Sequence, residues 1–175
     1  MKKQSKPVAN KSKNNHISRF LRAEVVKTSG KNALHPAQCE VIAIAPGKDK
    51  PSLKKGFEDF KSLVSGLSES EELSSKGGST CLVRFAGVRG SVHTLFVGTG
   101  KDRDGVNALG SSERIRRLGA VVANKLSAEK IKSADIYLDS FISKDSGLNV
   151  DAVSAAYAFI EGAALAAYRF DKYFS

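Results

Sequence analysis

The sequence predicts an α/β fold in which a mixed β-sheet is flanked by helices on both faces. Short apolar runs such as Glu40–Ala45 (EVIAIA) have the length and composition of buried strands. Longer segments such as Leu53–Leu67 repeat their apolar residues at helical spacing. The two patterns alternate along the chain, and this alternation is typical of α/β domains.

The strand patterns, taken in order, are Ala23–Lys27, Glu40–Ala45, Thr80–Ala86, Val92–Val97 and Ala134–Leu138. The second of them ends at Pro46-Gly47, which is a turn signal. The third and fourth are separated by a short loop that contains Gly87 and Gly90. That spacing predicts an antiparallel hairpin.

Two helices are expected before the C-terminal one. The first spans Leu53–Leu67, with Pro51 and Ser52 suited to its first turn. The polar segment Ser68–Gly78 that follows it is expected to be an exposed loop. The second helix begins at Asn107 or at Ser111. Its expected buried stripe has helical spacing and consists of Ile115, Leu118, Val122 and Leu126.

The C-terminal helix is the element on which the functional interpretation depends. Asn149 can cap it, and Asp151 suits the positive end of its dipole. One apolar stripe consists of Val153, Tyr157, Ile160, Ala164 and Ala167, and the opposite side is nearly as apolar, with Ala155, Phe159, Gly162 and Ala166. A helix that is apolar all round needs cover all round. Either it is a core helix, or its outer face packs against a partner that this chain does not contain.

Charge divides the chain into a basic tail and a nearly balanced remainder. Residues 1–22 hold seven basic and no acidic side chains, so they carry +7 of the net charge of +10. This tail is expected to be disordered and either solvated or a nonspecific arm for nucleic acid. It lacks the apolar core of a secretory signal, and no apolar run is long enough for a membrane helix. A cytoplasmic protein is therefore expected.

The run Glu161–Tyr173 (EGAALAAYRFDKY) resembles the end of the N-terminal domain of the leucyl (cytosol) aminopeptidase family. Looser likeness extends upstream through Val41–Ile44, Leu95–Lys101 and the helix near Arg116. The resemblance covers roughly residues 23–175. It implies a macro-domain-like fold over 23–167 and the start of a linker to an absent catalytic domain over 168–175. The implied domain junction consists of Tyr168, Arg169, Phe170, Asp171, Lys172 and Tyr173.

The resemblance also implies what the intact protein does. Members of the family release N-terminal amino acids from peptides with two divalent metals, zinc or manganese, and assemble as hexamers. Their metal ligands lie in the C-terminal domain, around an Asn-Thr-Asp-Ala-Glu-Gly-Arg motif that does not occur in this sequence. This chain is therefore expected to hold no catalytic residue and no metal ligand, and to be inactive alone.

One loop could bind a ligand. Gly98, Thr99, Gly100 and Lys101 follow a strand and precede a helix, where α/β proteins place anions. The loop matches neither nucleotide-binding glycine motif, and Asp102 and Asp104 add negative charge beside it. It is either a tight turn or an anion site, and the macro-like fold implied by the resemblance keeps a nucleotide or ADP-ribose ligand open.

Other chemistry-bearing residues give weaker signals. His16, His35 and His93 lack a second ligand at metal-binding spacing. Cys39 and Cys81 are expected to be free thiols. The acidic groups Glu58/Asp59 and Glu69/Glu71/Glu72 are expected to be solvated.

Overall fold

The computed structural model describes residues 22–23, 37–101, 110–142 and 148–168. Their strands are β1 (Cys39–Pro46), β2 (Pro51–Ser52), β3 (Thr80–Val83), β4 (His93–Gly98) and β5 (Ala134–Ile136). Their α-helices are α1 (Lys61–Glu69), α2 (Ser111–Ala128), α3 (Leu138–Phe141) and α4 (Ala152–Ala167), and a 3-10 turn, Glu58–Phe60, precedes α1. The tail, nearly all of the strand expected at Ala23–Lys27, and Arg169–Tyr173 lie outside the described residues.

Strand β1 is the centre of the sheet. One of its edges pairs in parallel with β4, from Cys39 opposite His93 to Ile44 opposite Gly98. Its other edge pairs in parallel with β5 near its start and antiparallel with β2 near its end. Strand β3 pairs antiparallel with β4 and completes the predicted hairpin. The described strands therefore form a mixed sheet, as predicted.

Both faces of the sheet are covered, because successive side chains of a strand point to opposite sides. Val41 and Ala43 pack into one core with α2, α3 and α4. Ile42 and Ile44 pack into a second core with the 3-10 turn and α1. This arrangement confirms the predicted α/β class, whereas the likeness to a macro domain stays a prediction.

Helix α1 begins at Lys61, so the prediction of a helix from Leu53 was wrong. Gly56 has a φ of +98°, a conformation that a right-handed helix does not contain. Pro51 and Ser52 form strand β2 rather than a first helical turn. Leu53 and Phe57 nevertheless pack against the second core, and that contact explains why the apolar spacing began so early.

Helices α2 and α4 form where they were expected. Helix α2 begins at Ser111, one of the two predicted starts, and its stripe residues Ile115, Leu118 and Val122 are buried, with Leu126 half-buried. The N-cap of α4 is Asp151, not Asn149 as predicted. Its Oδ1 accepts hydrogen bonds from the N–H groups of Val153 (3.0 Å) and Ser154 (2.9 Å). An Asp at this position satisfies helix N–H groups that would otherwise lack partners.

Two other boundaries differ by two or three residues. Strand β3 ends at Val83 instead of Ala86, and β5 ends at Ile136 instead of Leu138, because α3 begins at Leu138. Within the described part of the chain, no helix has both the length and the apolar character needed to cross a membrane.

Candidate functional site

Helix α4 exposes a mostly apolar face, which the charged residue Glu161 interrupts between Tyr157 and Leu165. The exposed fractions of Val153, Tyr157, Leu165 and Tyr168 are 65%, 75%, 64% and 68%. These residues, with Ala164, lie on one side of the helix at the spacing of successive turns. Large apolar side chains exposed in this way make this side of α4 a candidate interaction surface.

The opposite side of α4 is the buried one. Ala155, Ala158 and Phe159 join the core beneath α2, and Gly162 and Ala163 are buried beside them. Of the two apolar sides seen in the sequence, the stripe that begins at Val153 faces outward, although Ile160 within it is partly covered. Among the residues that the structure describes, none covers this outward face, so within them α4 is not a helix buried on every side.

Glycines let α2 and α4 touch backbone to backbone. A Cβ atom added to Gly162 would lie 1.8 Å from the carbonyl oxygen of Arg116, and one added to Gly119 would lie 2.2 Å from that of Phe159. The two contacts show that the helices run antiparallel. The orientation of the outward face is therefore fixed by a close contact that tolerates no larger side chain.

Ion pairs link the outward face of α4 to α2. The Nε of Arg116 donates to Glu161 of α4 at 2.9 Å, and its Nη1 donates to Glu113. The Nε of Arg117 donates to the other oxygen of Glu113 at 3.0 Å. Hydrogen bonds from Arg117 and then Arg116 lower the pKa of Glu113. The outward face of α4 therefore combines large apolar side chains with one carboxylate, Glu161, that is held by Arg116.

Of the six residues expected at the domain junction, the structure describes Tyr168. It follows the last residue of α4, and its N–H donates to the carbonyl oxygens of Ala164 (3.1 Å) and Leu165 (3.3 Å). Its side chain extends the exposed face by another turn. The role of the segment as a junction stays a prediction.

The Gly98–Lys101 loop lies at the carboxyl end of β4, as expected, but its N–H groups already have partners. Those of Gly98, Thr99 and Gly100 donate to the carbonyl oxygens of Ser79 (2.9 Å), Ile44 (3.0 Å) and Ser75 (2.9 Å). As the loop stands, these three groups do not face a ligand. Anion binding here stays a prediction, and it depends on the side chain of Lys101.

Close packing accounts for both glycines of this loop. A Cβ atom on Gly98 would lie 2.2 Å from the carbonyl oxygen of Lys76. Gly100 has a φ of +72°, and a Cβ atom there would lie 2.9 Å from Gly77. The glycines therefore have a structural role, because they allow the segment around Lys76 to pack against the end of β4.

The model of the cytosol aminopeptidase family, N-terminal domain, matches residues 41–175, which is more than half of the chain. The chain belongs to the cytosol aminopeptidase family. The match confirms the resemblance that was based on Glu161–Tyr173, and it includes α4 and its outward face. The comparison with curated proteins gave no match.

In this aminopeptidase-family domain, the described residues contain no group of three or more His, Cys, Asp or Glu side chains placed to hold a metal ion. His93 Nδ1 accepts the N–H of Phe85 at 3.1 Å. Burial, and then the charge of Glu40, raises the pKa of Cys39 to about 12, and burial also raises that of Cys81. Both thiols therefore stay protonated at neutral pH.

Sequence reasoning missed a buried carboxylate in the family domain. Glu40 has no exposed surface, and it accepts hydrogen bonds from the N–H groups of Val88 and Arg89 (3.1 Å) and from the Thr94 hydroxyl (2.7 Å). It thereby fixes the β3–β4 loop to the start of β1. A charged residue that opens an otherwise apolar strand was the available signal, since such a residue needs partners when buried.

Arg89 provides a second attachment for the same loop. Its guanidinium group binds both carboxylate oxygens of Asp59, at 2.7 and 2.9 Å, and lies 4.8–5.2 Å from the ring centroids of Phe57, Phe60 and Tyr137. Its hydrogen bonds with Asp59 raise the pKa of Arg89. Asp59, expected to be merely solvated, is therefore ion-paired, whereas Glu69, Glu71 and Glu72 are exposed as expected.

Proposed function

We propose that this chain is the non-catalytic N-terminal domain of a leucyl-aminopeptidase-like metallopeptidase, and that the outward face of α4 docks the C-terminal catalytic domain. Membership of the family implies such a partner domain. The observation that carries the proposal is the group of large, exposed apolar side chains on the family domain's last described helix, among which Glu161 is paired with Arg116.

In the intact protein, the catalytic domain holds two divalent metals and releases N-terminal amino acids from peptides, in a cytoplasmic hexamer. The N-terminal domain positions that catalytic domain. The rigid contact of α2 with α4 supports this role, because a surface that fixes a neighbour's position must itself be fixed.

Docking is tested by titrating the chain with a cytosol aminopeptidase catalytic domain supplied as a separate polypeptide. The informative variant is Tyr157→Asp, since it places an unpaired charge in the centre of the proposed contact. Phe85→Asp is the matched control, because Phe85 is an aromatic residue with 84% exposure on the β3–β4 loop instead of α4.

We expect Tyr157→Asp to weaken binding at least tenfold and Phe85→Asp to leave it unchanged. Equal affinity for both variants would refute docking through α4. The chain alone is also assayed on a leucyl amide with added Mn²⁺. Turnover above the blank would refute the non-catalytic assignment without bearing on the docking surface.

A further inference from the structure

Lysines line two neighbouring concavities near the carboxyl ends of β1 and β4. One concavity, of about 250 Å³, is lined by Lys54, Lys55 and Lys61 among others. The second, of about 370 Å³, is lined by Lys48 and Lys101. Both include Ser52, so they adjoin each other. We call the pair the lysine groove.

Four of the five lysines have no competing partner among the described residues. Lys48, Lys55, Lys61 and Lys101 are exposed, and none of them forms an ion pair within that part of the chain. Lys54 differs, because its Nζ donates to the carbonyl oxygen of Asp139 at 2.9 Å. The two concavities are thus lined by five lysines and one glutamate, so their described lining has a net positive charge.

The acidic residues nearby offset only part of this charge. Asp59 is bound by Arg89, whereas Glu58 keeps its charge while it accepts the N–H of Gly56 at 3.0 Å, and Asp49 is exposed beside Lys48. Glu58 is the acidic residue that lines the groove. The groove is thus suited to a ligand that carries several negative charges in a row.

We propose that the lysine groove binds a linear phosphate polyanion. Lysine binds phosphate as a point charge and does not fix the orientation of the ligand, whereas the fork of arginine would fix it. No arginine lines the groove, and no aromatic ring is present there on which a base could stack. The ligand is therefore held through its backbone charges and without sequence preference.

This site is distinct from the basic tail and from the α4 face, and it goes beyond the proposed function. Binding is measured on the full chain by the fluorescence anisotropy of a labelled DNA duplex over a range of salt concentrations. Two variants separate the groove from the tail. The groove variant carries Lys→Gln at positions 48, 55, 61 and 101, and the tail variant carries it at positions 2, 3, 6 and 11. Both lose the same formal charge.

We expect the groove variant to bind at least about tenfold more weakly than the tail variant. We also expect its plot of log affinity against log salt to be less steep by about 3 to 4, since each lost phosphate contact removes about 0.9. Circular dichroism should show that both variants are folded, because the substituted lysines are exposed.

Competitors identify the ligand. Long-chain inorganic polyphosphate should displace the duplex, and polyglutamate of similar charge should do so much less. A rise in melting temperature with polyphosphate, without binding of the duplex, would assign the groove to inorganic polyphosphate and support the proposal. Equal weakening of both variants, weakening of the tail variant alone, unchanged affinity in both, or equal competition by polyglutamate would overturn it.

Discussion

Replacing Gly162 by alanine tests the backbone contact between α2 and α4. The added Cβ atom would lie 1.8 Å from the carbonyl oxygen of Arg116, whereas real Cβ contacts essentially never fall below 3.0 Å. The obstacle is backbone and cannot rotate away. The difference between these two distances is therefore the least by which the atoms must separate.

That separation is large in energetic terms. A radial gap of about 0.5–1 Å between two packed atoms already loses a quarter to a half of their dispersion energy. Overpacking a core typically lowers the free energy of unfolding by about 1–3 kcal/mol. The better helix propensity of alanine offsets at most about 1 kcal/mol. We expect a net destabilisation of about 2 kcal/mol, which for a chain of this size lowers the melting temperature by about 4–8 °C.

Gly66→Ala is the matched control for this substitution. Gly66 lies inside α1, and a Cβ atom there would meet nothing within 4 Å. The same chemical change should therefore raise the free energy of unfolding, by up to about 1 kcal/mol. Urea unfolding followed by circular dichroism measures both variants. Unchanged or higher stability of Gly162→Ala would refute the close contact.

Three further predictions concern titratable side chains. Glu40→Gln places an amide group against two backbone N–H donors, so we expect it to lower the free energy of unfolding by about 1–3 kcal/mol, while the exposed control Glu72→Gln has little effect in the same urea titration. Hydrogen bonds from Ser154 lower the pKa of Asp151 below its ordinary value of 3.8. The charged cap therefore stabilises the fold above that pH, and this contribution is lost as the pH falls through the native pKa. In the Asp151→Asn variant, the free energy of unfolding should depend less on pH in that range. Cys39 is fully buried with a pKa near 12, so a thiol reagent at neutral pH should label it only after unfolding, and rapid labelling of the native chain would contradict its burial.

Local sequence patterns predicted the elements that are either apolar throughout or divided into one apolar and one polar side. Strand β1 was recognisable because it is buried on both faces and has a continuous apolar run from Val41 to Ala45. The stripe of α2 was recognisable because one side of that helix is polar. The attachment of the β3–β4 loop could not be predicted, because Glu40 and Arg89 meet their partners across 30 or more residues of sequence.

The buried side of α4 could not be chosen from its sequence, because alanine and aromatic residues occur on both sides of the helix. Apolar spacing identifies a face only when the remaining faces are polar. Size separates most of the residues, since the side that packs contains Gly162, four alanines and a single large residue, Phe159, whereas Tyr157 and Leu165 lie on the side that does not. Small side chains allow backbones to approach closely, and large ones need a partner with space for them. Glycine inside a helix costs about 1 kcal/mol relative to alanine, so its presence at Gly119 and Gly162 indicates that the contact between the two helices more than offsets that cost.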